Sequence, residues 1–277
     1  MAPEPIKSTM TRQPHTAVRA RSIWRRKIPT HVAVLAVAAI APLLPGQAWA
    51  DPNDYIMTLD YTGGEHELES KLGAASKARD GTPAGEAAAL GYGQGVSDTW
   101  FTEVYVQFAN NPAGQNGGGL DAASWENVVR FSEPGQWFAD VGAMAELEFP
   151  RAGSQGWKLT TGPLLQKDIG DLQINANLLL QRQFDGSTHL ATQLTYQLQL
   201  RYRSDPGLEF GMQAFGQMGT WNHWGQPQGQ IHRIGPALFG EHKLSTDSSL
   251  HYNAAVLVGA SRGAADVTVR GQIEYEY

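Results

Sequence analysis

The chain has 277 residues, 42% hydrophobic, 17% charged and 9% aromatic, with 31 Gly, 15 Pro and no Cys. That composition excludes a collagen-like repeat, a disulfide scaffold and a long disordered chain, and the absence of cysteine removes disulfides and thiolate metal sites. Seven of the 21 Lys+Arg but one of the 27 Asp+Glu fall in residues 1–50, so residues 51–277 carry 14 against 26, a net charge of −12. Such an acidic chain lacks the basic face that nucleic acid demands, so no nucleic-acid partner is expected.

Residues 1–30 hold Lys7, Arg12, Arg19, Arg21, Arg25, Arg26 and Lys27 against Glu4 alone, and an uncharged apolar run, Val32 to Leu44, follows. Thirteen residues are too few to span a bilayer as a helix but fit the hydrophobic region of a secretory signal. The run has no polar face and ends in Pro45-Gly46 and the small-x-small triplet Ala48-Trp49-Ala50. Residues 1–50 are therefore read as a signal peptide cleaved after Ala50, with Met10 as an alternative start. Arg25-Arg26 resembles a twin-arginine signal, but Trp24 and Lys27 do not extend that pattern, and general export is expected.

From residue 51 onward no apolar run is long enough for a spanning helix, and the hydrophobic period is two. Twelve strands are predicted, at 65–77, 85–96, 100–110, 122–132, 137–149, 157–167, 171–184, 190–203, 207–219, 231–243, 249–260 and 266–277. In 190–202, Leu190, Thr192, Leu194, Tyr196, Leu198, Leu200 and Tyr202 share one face, against Gln193, Gln197, Gln199 and Arg201. In 137–149, Trp137, Val141, Leu147 and Phe149 oppose Asp140, Glu146 and Glu148. Strands of ~10 residues exceed the common soluble length of ~5–6 and match what a tilted strand needs to cross a membrane. Short turns such as Ser97-Asp98-Thr99 and Asp168-Ile169-Gly170 alternate with long polar connections such as Asn111 to Asp121 and Thr220 to Gln230. An even strand number with trimmed turns at one end and loops at the other is what a closed all-β transmembrane barrel requires. Residues 51–64 are read as a periplasmic lead-in, with 54–62 an alternative extra strand, and 65–277 as the barrel.

The export signal, the twelve alternating strands and a last strand with Val269, Ile273, Tyr275 and Tyr277 at alternate positions resemble a Gram-negative outer-membrane β-barrel. The resemblance is architectural and implies no particular substrate. It implies that Tyr277 serves as the signal to the barrel-assembly machinery, and that outer-membrane lipid surrounds the strands. Trp100, Trp125, Trp137, Trp157, Trp221, Trp224, Tyr196, Tyr202 and Tyr277 then suit aromatic girdles at the two interfaces. The soluble alternative is a periplasmic β-sandwich binding protein whose core would hold these aromatics.

Alternation directs Glu67, Glu69, Glu103, Glu126, Asp140, Glu146, Glu148, Glu209, Glu274 and Glu276 into the lumen, with Lys71, Arg130, Lys158, Arg201, Arg203, Arg233 and Arg270. If Ser204-Asp205-Pro206 is a three-residue hairpin loop, Arg203 pairs with Gly207 and Arg201 with Glu209. Charged side chains and water are expected to fill the interior. Two readings follow: a plugged structural barrel with a paired ionic lumen, or a small, weakly cation-preferring channel lined by excess carboxylates.

A lipid-modifying outer-membrane enzyme is a third reading, with Ser187 and His189, or Ser248, Ser249 and His251, as candidates; no nucleophile elbow supports it. On the long loop, Trp221, His223 and Trp224 are candidates for contacting a sugar or headgroup. His223 and His232, nine residues apart with no acidic neighbour, do not make a metal motif. Gly91-Tyr92-Gly93-Gln94-Gly95 precedes no helix, so it is not a phosphate loop, and its glycines relieve crowding on the inner face or allow curvature. No cofactor is expected.

Overall fold

The computed structural model describes residues 55–110, 118–151, 156–186, 191–205, 207–226 and 229–277. The expected signal peptide, the Ser187–His189 pair and part of the Asn111 to Asp121 loop lie outside the described residues. Twelve long strands form one antiparallel sheet: β1 (His66–Ala75), β2 (Gly85–Ser97), β3 (Trp100–Asn110), β4 (Gly119–Arg130), β5 (Asp140–Pro150), β6 (Trp157–Ile169), β7 (Leu172–Phe184), β8 (Gln193–Tyr202), β9 (Glu209–Thr220), β11 (Ile231–Lys243), β12 (Ser249–Gly259) and β13 (Val267–Glu276). Between β9 and β11, β10 (His223–Trp224) is a two-residue spur on β9. Each long strand pairs with the next, and β13 pairs back on β1 from Glu67–Glu276 to Ala75–Thr268, so the sheet closes into a barrel. Closure supplies each of the twelve long strands with two neighbours and leaves none of them as an unpaired edge, which lipid has no means of satisfying.

The period-two pattern places its two faces in different surroundings. Leu68, Leu90, Val104, Trp125, Leu165, Leu198, Leu238, Val256 and Val269 point outward and are 43–54% exposed, one from almost every strand. A continuous apolar band around a closed sheet is what a hydrocarbon layer requires, and it replaces the two packed sheets of the sandwich alternative. At one end lie the turns 98–99 and 170–171 and the connections 131–139, 203–208 and 244–248. The two-residue turn of Gly170 and Asp171 puts Gly170 at a φ of 60°, the left-handed region that such tight hairpins need. Tyr277 is held at this end by reciprocal backbone bonds with His66, 2.9 and 3.1 Å.

Two local expectations are corrected. The fifth strand begins at Asp140, not at residue 137, because the preceding turn is closed by side chains: Gly135 N donates to Asp140 Oδ1 (2.6 Å) and Val141 N to Ser132 Oγ (3.0 Å). Trp137 and Phe138 therefore stand exposed on a turn. The hairpin after β8 is wider than three residues, with Tyr202 opposite Phe210 and Arg201 opposite Gly211. Arg203 N is drawn to Asp171 O of the neighbouring hairpin (2.8 Å), which takes it out of the expected pairing with Gly207. Arg201 nevertheless reaches Glu209 diagonally and forms an ion pair with it through Nε.

No strand forms in residues 55–64; 62–64 lie exposed at the rim, where Gly63 and Gly64 turn into β1, but 55–61 are not a segment outside the barrel. Residues 55–61 run inside it as extended chain whose backbone is satisfied by wall side chains. Met57 N donates to Gln197 Oε1 (3.1 Å) while Met57 O accepts from Asn177 Nδ2 (2.9 Å). Two residues on, Leu59 N donates to Gln166 Oε1 (3.2 Å) and Leu59 O accepts from an Arg130 guanidinium nitrogen (3.0 Å). Polar groups removed from water must be bonded, and here amide side chains stand in for a neighbouring strand. Leu59 and Tyr61 pack with inward-facing Phe101, Val128, Met144, Leu164 and Leu179, and Met57 leans on the same cluster. The expectation that charged side chains and water fill the lumen is thereby corrected: part of it is an apolar core built around this segment.

Candidate functional site in the lumen

The inner wall has two chemically distinct halves. On β6 to β9 its middle is a series of neutral amides hydrogen-bonded head to tail, with Lys158 and the Arg201–Glu209 ion pair toward the strand ends. Gln213 Nε2 donates to Gln199 Oε1 (2.7 Å), Gln199 Nε2 to Asn175 Oδ1 (3.2 Å), and Asn175 Nδ2 to Gln166 Oε1 (2.8 Å). The series ends on the N-terminal segment, where Gln166 and Gln173 both donate to the carboxylate of Asp60, at 2.5 and 2.9 Å. A carboxylate accepts such bonds without needing a cationic partner, so Asp60 anchors the segment to this half.

On β13, β1, β3, β4 and β5 the wall is acidic. Register places Glu276, Glu67, Glu103, Glu126 and Glu146 in one cross-strand row, interrupted only by Gly93. Glu274, Glu69 and Glu148 lie in the adjoining row. Glu67, Glu69, Glu103, Glu126, Glu146 and Glu148 are all buried. Opposing charge is sparse: Lys71 Nζ is 2.8 Å from Glu69, and Lys158 Nζ is 2.7 Å from Glu148, its direct cross-strand partner. The Tyr105 hydroxyl lies among Glu69, Glu103 and Lys71, hydrogen-bonded to all three. Buried Arg270 stacks over the Tyr55 ring at 3.6 Å, and Tyr55 donates to Leu72 O or Gly271 O, 2.8 and 2.6 Å away. Arg233 is buried opposite Phe215.

Two cavities flank the segment. One is lined by Tyr55, Met57, Lys71, Tyr105, Glu126, Glu146, Phe215 and Arg233. The other lies between the segment and the acidic wall, against Tyr61, Glu67, Glu69, Glu103, Gln272 and Glu274. Tyr55, Met57, Lys71 and Tyr105 line both. The remaining inward residues serve the rim at the short-turn end. Arg130 holds Leu59 O and Asp98 O, Asp140 closes its turn, and Arg203 pairs with Asp168 at 3.0 Å. Just outside β1, burial and then the charge of Glu276 push the Glu65 carboxyl up to about 7, against a hydrogen bond from Thr62 N.

Ser249 and His251 do come together, with Oγ and Nε2 2.9 Å apart. Glu276, however, meets the same Nε2 at 3.0 Å and also accepts from Ser249. A hydrolase triad needs the carboxylate on the other ring nitrogen, so that Nε2 is free to take the serine proton. The arrangement is a rim ion pair without that relay, and Ser248 is bonded elsewhere, to Ser245. On the long-loop side Trp221 stands exposed in the turn after β9, and His223 and Trp224 stand exposed on the β10 spur. His232 does not join His223, because Tyr196 and Gln230 occupy its two ring nitrogens.

Sequence reasoning missed the N-terminal segment and its apolar groove. A signal was present: Phe101, Val128, Met144, Leu164 and Leu179 sit at the polar parity of their strands, and Tyr55, Met57, Leu59 and Tyr61 alternate to match them.

No protein-family model matches the chain, and no curated protein matches its sequence. Among solved structures it is similar to an outer membrane channel from Pseudomonas putida F1, at 13% identity and a TM-score of 0.57, over 82% of this chain and 99% of that one. It also aligns with the translocator domain of the autotransporter NalP from Neisseria meningitidis, at 11% identity and a TM-score of 0.48, over 79% of this chain and 90% of that one. The closed twelve-strand sheet, its outward apolar band and the likeness to the Pseudomonas barrel together give the chain the fold of an outer-membrane β-barrel.

Proposed function

We propose that the barrel is a narrow channel for small solutes with a preference for cations, its path passing between the N-terminal segment and the acidic wall. The observation that carries this reading is the pair of cavities that meet at Tyr55, Lys71 and Tyr105. Beside that path the eight carboxylates of β13, β1 and β3 to β5 outnumber Lys71, Lys158, Arg233 and Arg270 around them, so the local potential favours positive charge. The similar Pseudomonas barrel is a channel, which agrees with this reading. The test is planar-bilayer recording of residues 51–277 under a salt gradient. A small unit conductance with a cation-directed reversal potential is expected, and deletion of residues 55–62 should raise it several-fold.

The hydrogen bonds that fix the segment at Met57, Leu59 and Asp60 favour a second reading, a structural barrel permanently closed by its own N-terminal segment. No conductance in the intact protein, with conductance in the deletion variant, would select it. The Ser249 geometry removes the Ser249–His251 pair as the catalytic group of the lipid-modifying reading.

A further inference from the structure

Glycines 91 and 93 interrupt the inner face of β2 between the carboxylates of β1 and those of β3. Register puts Gly93 between Glu67 and Glu103, and Gly91 between Glu69 and Tyr105. A Cβ on Gly93 would meet Glu67 Oε1 and Cγ at 2.7 Å, and one on Gly91 would collide with Glu103 Oε1 and the Tyr105 ring. Acidic side chains from both neighbouring strands therefore lean over bare backbone, where any larger residue would push them apart. This is the glycine run that no phosphate-loop or turn requirement explains.

Oxygens of Glu67, Glu69 and Glu103 converge there within 4.8 Å of one another, each residue 7% exposed or less. Lys71 offsets Glu69. Glu103 Oε1 is buried with no hydrogen-bond partner, and so is Oε1 of Glu126, the direct cross-strand neighbour of Glu103. An unbonded buried carboxylate oxygen costs free energy unless a cation supplies the missing partner.

We propose that this cradle is a binding site for one divalent cation of the hard, oxygen-preferring class, with calcium the best fit. Such an ion takes carboxylate oxygens at about 2.3–2.6 Å, so its ligands stand at most roughly 5 Å apart, a limit these oxygens meet by lying within 4.8 Å of one another. Glu67, Glu69 and Glu103 are the ligands, and the cavity between the segment and the wall gives entry and room for water in the remaining positions. Magnesium demands shorter bonds and a stricter octahedron, which three carboxylates on a rigid sheet do not supply. The site ties β1 to β3 across β2 and does not require the lumen to conduct.

The experiment uses residues 51–277 folded in detergent, with folding verified by the shift in gel mobility on heating. Terbium serves as the probe, because Tyr105 touches two of the ligands and sensitises its emission when excited. Saturable emission displaced by calcium is expected, with affinity at least tenfold lower in Glu103→Gln and Gly93→Ala. Affinity should be unchanged in Glu148→Gln, whose carboxylate belongs to Lys158. Calcium should also raise the unfolding temperature of the unsubstituted protein, an effect independent of whether the variants fold. Emission no stronger than that of Glu103→Gln, or calcium without effect on unfolding, would overturn the proposal and assign the charge balance to protons. Since neither readout involves current, a silent bilayer recording leaves this result standing.

Discussion

Replacing Leu59 by Ala tests whether the N-terminal segment is docked in the lumen. Leu59 is 2% exposed and packs against Val128, Met144, Leu164 and Leu179. Truncating a buried leucine costs about 2–5 kcal/mol. A middle value of about 3 kcal/mol, at about 1.4 kcal/mol per tenfold, raises the released population roughly 100-fold. Because the lost contacts belong to the segment and the groove, the change should appear as local release and not as unfolding of the barrel. Hydrogen exchange reads it directly: the amides of Met57 and Leu59, bonded to Gln197 and Gln166, should lose roughly 100-fold in protection, while strand amides keep theirs. Equal protection in both proteins, or amides exchanging at free-chain rates before any substitution, would refute the docking.

Docking at the rim should also depend on pH. The Glu65 carboxyl is raised to about 7 in the folded protein, so its contribution is complete below the ordinary carboxylate range and is lost as pH rises through 7. The Gly64 amide, which donates to Gly95 O, should lose protection over that interval after correction for intrinsic exchange, and Glu65→Gln should remove the dependence. Glu209→Ala strands Arg201 beside a buried wall, and unfolding from lipid vesicles by urea should show a loss of about 3–5 kcal/mol. Ser249→Ala should leave detergent-solubilised protein with the same lipid-hydrolysis background as the unsubstituted chain, since Glu276 and Ser249 share one nitrogen of His251; a measurable drop would reinstate the enzyme reading.

The barrel was legible because lipid exposes one face of each strand to a uniform solvent, and a uniform solvent writes a strict period of two. Leu198, Leu200 and Tyr202 against Gln197, Gln199 and Arg201 show the rule at full strength. Where a side chain answers to a specific neighbour, periodicity carries less. Trp137 fits the outward row of its strand, yet Ser132 and Asp140 close the turn beyond it, and no pattern in 137–149 encodes those two bonds. Arg201 was assigned the right ionic partner through the wrong register, since a long arginine reaches a diagonal neighbour as well as a direct one. The lumen was the least legible part. Its apolar inward residues look like lapses in alternation until the segment that covers them is known, and the convergence of Glu67, Glu69 and Glu103 is spread over 37 residues that only pairing brings together.

The most direct measurement is the accessibility of spin labels at single engineered cysteines, which the cysteine-free chain permits without background. Labels at Leu198, Leu238 and Val269 in lipid vesicles should collide with dissolved oxygen and be shielded from a water-soluble nickel chelate. A label at Leu59 should be shielded from both. Strong nickel collisions at the three outward sites would contradict the account, because the apolar band would then face water and the barrel would not span a membrane.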